Sequence, residues 1–112
     1  MTKREEDTTV TASSGNVFAD LGFANPELEL AKARMVKAIA EEIARRSLTQ
    51  RAAGEVIGLP QPKLSTLLRG QWSSYSLDRL VRFATLLGLD VTVRIERADS
   101  PEGGAGHLVV AA

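Results

Sequence analysis

The chain has 112 residues, 44% of them hydrophobic but only 4% aromatic, and its 14 basic side chains cancel its 14 acidic ones. That length suits one domain with a modest core of Leu, Val, Ile and Ala. With no cysteine, disulfides and thiolate metal sites are excluded, and no run of 18 apolar residues offers a membrane span.

Residues 1–14 are polar, rich in Thr and Ser and without periodicity, and read as a disordered lead. The charged start Met1-Thr2-Lys3-Arg4-Glu5-Glu6-Asp7 is not a secretory signal, so a cytoplasmic location is expected. Val17 to Phe23 make an apolar-acidic segment suited to packing on the body or on a partner. Asn25 then suits a helix cap, with Pro26 in first position and Glu27 and Glu29 favourable to the helix dipole. Leu28, Met35, Val36, Ile39 and Ile43 recur at helical spacing, which predicts a long first helix from about 26 to 46. Thr49 caps a second helix over about 50–57. A third runs over about 61–69 and stops at Gly70. Ser76 caps a fourth from Leu77 to Leu87, with Leu77, Leu80, Val81, Ala84 and Leu87 on one face and Gly88 as its stop.

Beyond Gly88 the period changes. Leu89-Asp90-Val91-Thr92-Val93-Arg94-Ile95-Glu96 alternates apolar and polar residues, the pattern of a strand with one buried face. A solitary strand leaves its backbone groups unpaired. The favoured partner is the same strand of a second subunit, antiparallel across a two-fold axis, which makes Leu89, Val91, Val93 and Ile95 the dimerisation residues. The alternative is an internal hairpin, with a turn at Gly103-Gly104-Ala105-Gly106 that brings Leu108-Val109-Val110 back. The long connection from Ala98 to Gly106, interrupted by Pro101, argues against it. Residues 97–112 read as a flexible tail.

Residues 48–70 carry most of the information. Val56 and Ile57 end an apolar face, Gly58 supplies a left-handed helix end, and Leu59 can plug the angle between two helices. Pro60 and Pro62 bracket the next helix start, where a missing N–H is tolerated. Gly54, four residues before Gly58, points to a close approach of the helices, since glycine costs about 1 kcal/mol against alanine inside a helix. Two short helices meeting at such a turn form the plan of a helix-turn-helix, whose second helix enters the DNA major groove. Charge is distributed accordingly. Residues 45–82 hold seven basic and two acidic side chains, whereas residues 1–44 hold five and eight and residues 83–112 hold two and four. A net charge of zero therefore conceals a cationic middle suited to phosphates.

Along the third helix, Leu64, Leu67 and Leu68 point inward, leaving Gln61, Pro62, Lys63, Ser65, Thr66 and Arg69 outward. Gln61 suits a bidentate bond to adenine, Lys63 reaches guanine or a phosphate, and Pro62 can meet a thymine methyl. Arg69, at the far end, suits a phosphate. So do the N–H groups and hydroxyls of the following loop, Gln71, Ser73 and Ser74 included, together with Arg51 and Arg79. Trp72 and Tyr75 are expected to anchor that loop from beneath rather than to touch a phosphate.

Leu48-Thr49-Gln50, Gly58-Leu59, Gln61, Leu64-Ser65, Leu67 and Arg69-Gly70, at these spacings, resemble the XRE (Cro/phage-repressor type) helix-turn-helix family. Gly15 to Phe23, Asn25-Pro26-Glu27 and Leu86-Leu87-Gly88-Leu89-Asp90-Val91 extend the resemblance to HigA-like antitoxins of toxin–antitoxin pairs, over roughly residues 15–96. It implies a mainly α, four-to-five-helix repressor-like domain with one C-terminal strand. It also places the groove-facing positions on Gln61, Pro62, Lys63, Ser65 and Thr66, and a phosphate grip on Gln50. Two positions depart from the pattern. Pro60 stands where a Ser, Thr or Asp cap is frequent, and Gly54 where Ala is usual.

The expected function is that of a sequence-specific repressor, acting as a homodimer on palindromic double-stranded DNA with half-sites about 34–36 Å apart. The alternative implied by the resemblance is an antitoxin that also neutralises a RelE/HigB-like ribonuclease toxin, through Val17–Phe23 or the exposed face of the first helix. No catalytic, metal or cofactor pattern emerges. His107 is the single histidine and lies in a Gly-rich stretch, and Glu5-Glu6-Asp7 and Glu41-Glu42 have no neighbours to tune them for acid–base work. An enzyme is not expected.

Overall fold

The computed structural model describes residues 25–99 and 104–111. The polar lead, the Val17–Phe23 segment, Pro101 and Gly103 lie outside the described residues. Four helices follow in order: α1 (Asn25–Arg45), α2 (Gln50–Ile57), α3 (Gln61–Leu68) and α4 (Leu77–Leu86). All four expected helices are present to within one residue or two at each end. Asn25 belongs to α1 itself instead of capping it.

Each boundary has a local cause. Thr49 Oγ1 accepts from the Ala52 N–H at 3.0 Å, and Ser76 Oγ from the Arg79 N–H at 3.1 Å, so both hydroxyls satisfy a donor that the helix itself leaves free. Pro60 precedes α3 without a side-chain cap, and its carbonyl takes the N–H groups of Lys63 and Leu64, both at 3.0 Å. Because Pro62 has no N–H, that first turn has one donor fewer to satisfy. The four helices stop in one way. A residue with positive φ (Ser47, Gly58, Gly70 or Gly88) follows each, and the next N–H reaches back five residues: Leu48 to Ile43, Leu59 to Gly54, Gln71 to Thr66, Leu89 to Ala84. Ser47, at φ 54°, adopts without glycine what the other three positions do with it.

The periodic apolar residues converge on one core. Leu28, Met35, Val36, Ile39 and Ile43 of α1 are buried against Leu77, Leu80, Phe83 and Ala84 of α4, with Leu87 just beyond. Ala53 and Ile57 of α2, Leu64 and Leu67 of α3, and Leu59 between them close the other side. Ile39, Leu64, Leu67, Leu80 and Leu87 are fully enclosed, and burying each such side chain contributes about 1.5–3 kcal/mol. Gly54 is where α2 meets the chain entering α3, and a Cβ there would lie 2.4 Å from the Leu59 carbonyl oxygen.

The expected strand over 89–96 does not form among the described residues. After the Leu89 N–H, which still belongs to the end of α4, these residues make no backbone–backbone hydrogen bond among the described residues, and neither do 104–111. Alternation prepares one face of a strand, but a strand exists only through a ladder partner, and a single chain supplies none here. Leu89 and Val91 nevertheless pack half-buried on the core. Residues 104–111 return along α1. Leu108 and Val110 pack on the core, the Leu108 N–H donates to Glu27 at 2.9 Å, and Arg34 donates to the Val110 carbonyl at 3.1 Å.

Candidate nucleic-acid interface

The outward face of α3 is polar, cationic and without a carboxylate. Gln61, Pro62, Lys63 and Arg69 are exposed and Ser65 and Thr66 half-exposed, while Leu64 and Leu67 are buried and Leu68 is half-buried. The 3.6-residue repeat of one short helix thus separates the side chains that hold it down from those that face outward. Burial of Leu64 and Leu67 fixes the rotation of α3, and Leu59, also buried, fixes its entry angle.

The N-terminal end of this face is organised by a side-chain pair. Gln61 Nε2 donates to Gln50 Oε1 at 2.9 Å, linking the first residue of α3 to the first residue of α2. The bond orients the Gln61 amide and leaves its carbonyl oxygen and second N–H free, the acceptor–donor pair that the adenine edge requires. Further along, the Thr66 hydroxyl donates to the Lys63 carbonyl at 2.9 Å, and Arg69 Nη1 lies 3.4 Å from Ser65 Oγ.

At the other end the chain forms a recess of about 580 Å³, lined by Lys63, Thr66, Gly70, Gln71, Ser73, Ser74, Tyr75 and Arg79. Two cations and no carboxylate line it, so its potential is positive and suited to an anion. Arg79 is held over the Tyr75 ring at 4.9 Å and the Phe83 ring at 5.4 Å, arrangements that restrain a long side chain before any ligand arrives. Tyr75 is buried, edge-on to Phe83, and Trp72 is half-buried against the core, in keeping with their expected anchoring role. On α2, Arg51 is exposed at the edge of the face and loosely paired with Glu55 at 3.9 Å.

Residues 17–96 match the family model described as a helix-turn-helix domain. The chain belongs to this helix-turn-helix family. A solved structure described as an XRE family transcriptional regulator is 31% identical in sequence, with a TM-score of 0.70, over 80% of this chain and 100% of that one. The XRE type is thus shown, and both matches support a DNA-binding transcriptional regulator. Neither match extends to the HigA-like antitoxins. No curated protein matches the chain.

Within this helix-turn-helix the structure brings Gln50, Gln61, Lys63, Ser65, Thr66 and Arg69 onto one continuous face, with Gln71, Ser73, Ser74 and Arg79 at its end. Sequence reasoning treated Gln50 only as a phosphate ligand and missed that it holds Gln61. It also missed Lys32. This lysine is 5% exposed, donates to the Ser73 carbonyl at 3.2 Å and lies 3.4 Å from Glu29, so α1 anchors the loop that follows α3. The signal was present in the spacing. Lys32 stands four residues after Leu28 and four before Val36, inside the apolar stripe, where a lysine stays only if its ammonium finds acceptors.

Proposed function

We propose that this protein is a repressor that binds a palindromic operator as a homodimer and regulates its own gene in the cytoplasm, with no catalytic activity of its own. Each subunit lays α3 in the major groove of one half-site. Gln61 and Lys63 read base edges, Thr66 and Pro62 meet thymine methyls, and Ser65 adds a short polar contact. The Lys63–Arg79 recess and the N–H groups and hydroxyls of Gln71, Ser73 and Ser74 take backbone phosphates, as do Arg69, Arg51 and the α2 end at Gln50. The observation that carries this reading is the Gln50–Gln61 bond at one end of the α3 face and a cationic recess free of carboxylates at the other, one suited to a base and the other to a phosphate. No feature of the described residues favours the toxin-neutralising alternative, so a toxin partner is not part of the proposal.

Selection from a random DNA pool is expected to yield an inverted repeat, and Gln61→Ala or Lys63→Ala to weaken binding to it by about 1–3 kcal/mol per half-site. Both side chains are exposed, so circular dichroism and melting should not change. Unchanged operator affinity in both variants would refute the assignment of α3 to the groove.

A further inference from the structure

A groove of about 600 Å³ lies beside α1 and α4, bounded by two lengths of chain outside the helices. Residues 89–94 form one wall and 107–111 the other, and its floor includes Met35, Ala38, Leu77 and Val81, with Glu41 and the Glu42–Arg45 ion pair of α1 also lining it. The walls converge where Gly106 faces Ala98, since a Cβ on Gly106 would lie 3.7 Å from that of Ala98. Elsewhere α1 holds the second wall in place. His107 Nδ1 sits 2.7 Å from Glu27 Oε2, Glu27 Oε1 takes the Leu108 N–H, and Arg34 takes the Val110 carbonyl. No backbone hydrogen bond crosses between the walls. Along the first wall, Leu89 and Val91 rest on the core, but Val93 and Ile95 are 76% and 92% exposed. The apolar alternation runs further than one subunit's core.

We infer that the groove receives residues 89–96 of a second copy, antiparallel and centred on Thr92. This deepens the homodimer reading above and rests on it. To keep apolar residues on one face, odd-numbered positions must lie opposite odd-numbered ones. Among such registers, centring on Thr92 places Asp90 opposite the partner's Arg94, twice by symmetry, with Leu89 opposite the partner's Ile95 and Val91 opposite the partner's Val93. Centring on Val93 sets Asp90 against the partner's Glu96. Centring on Arg94 sets two arginines face to face, and centring on Val91 leaves Ile95 opposite Leu87, at the end of α4. Charge complementarity thus selects one register. The arrangement also closes. Each strand fills the other copy's groove, giving the order tail, partner strand, strand, partner tail, and each exposed Val93 and Ile95 comes to lie over the other subunit's floor. Backbone groups of the four segments that have no ladder partner in one subunit find partners in the same step.

The chain has no cysteine, so Thr92→Cys gives one thiol per subunit. In this register two Thr92 positions face each other, and mild oxidation is expected to link T92C into a disulfide dimer on a non-reducing gel. V91C and V93C, which face each other and not themselves, should link at least about tenfold more slowly. D90R and R94D should each raise the dimer dissociation constant about tenfold by light scattering, and D90R/R94D should restore it. Equal linking at 91, 92 and 93, or no rescue in the double variant, overturns the register. A wild-type chain that stays monomeric at high concentration, as it would if its own residues 17–23 filled the groove, overturns the pairing. DNA separates the two readings. A T92C-linked dimer that retains no DNA upholds the pairing and refutes the operator reading, whereas a monomeric chain that still retains DNA at low salt refutes the pairing and the homodimer while upholding DNA binding through α3.

Discussion

Replacing Gly54 with alanine tests whether the contact between α2 and the entry to α3 sets the interface. The new Cβ would lie 2.4 Å from the Leu59 carbonyl oxygen, 3.6 Å from its carbon and 3.7 Å from the Gln61 nitrogen. All three are backbone atoms, so no side chain can swing aside, and the turn must open by about 1 Å to restore a van der Waals separation. Overpacking of this kind costs about 1–3 kcal/mol, while alanine recovers about 1 kcal/mol of helix propensity. The expected net loss is about 1 kcal/mol, or about 4–8 °C in Tm for a domain of this size. Opening also displaces Gln61 relative to Gln50, whose 2.9 Å bond tolerates little movement, so operator affinity should fall alongside stability. Calorimetry and a gel-shift titration of the same sample read both effects. A Gly54→Ala protein that melts higher and binds the operator unchanged would refute the claim that this close approach matters.

Three further outcomes are expected. Gln50→Ala should weaken operator binding by about 0.5–1.5 kcal/mol through the loss of one orienting hydrogen bond, with less effect on random DNA; an equal loss on both would reduce Gln50 to a phosphate ligand. Ser47→Gly should raise stability by about 0.5–1 kcal/mol in urea denaturation, because the left-handed φ of 54° strains a residue with a Cβ and not glycine. Glu27 titrates below its ordinary value of 4.5, chiefly through the Leu108 N–H and then through His107. A depressed folded-state value means its contribution is complete above pH 4.5 and is lost as pH falls through that lower value. Protection of the Leu108 amide in hydrogen exchange should therefore fade in acid, and Glu27→Gln should abolish that dependence; acid-insensitive protection in the wild type would refute it.

The helices and the candidate interface were legible in the sequence because their causes are local. Thr49 and Ser76 cap within three residues, Gly58, Gly70 and Gly88 stop their helices where the chain turns, and the inward leucines of α3 follow from its period. The outward set from Gln61 to Arg69 is the complement of those leucines. Where the reading fell short, the cause was distance along the chain. Lys32 acts on Ser73 and Gln50 on Gln61, and each pair meets only after the core has brought α1, α2 and α3 together. Residues 89–96 show the remaining case, in which alternation specified a face but not a ladder.

Taken alone, the sequence determined where helices begin and end, which face of each turns inward, and that positive charge gathers around the turn, since capping, periodicity and composition act over a few residues. Tertiary structure decided the rest. It set the rotation of Gln61 by pairing it with Gln50, stacked Arg79 on Tyr75 and Phe83, anchored the loop through Lys32, and left a groove between two segments outside the helices. Each of these depends on which atoms packing brings within about 3–5 Å, a property of the assembled core and not of any short stretch of chain.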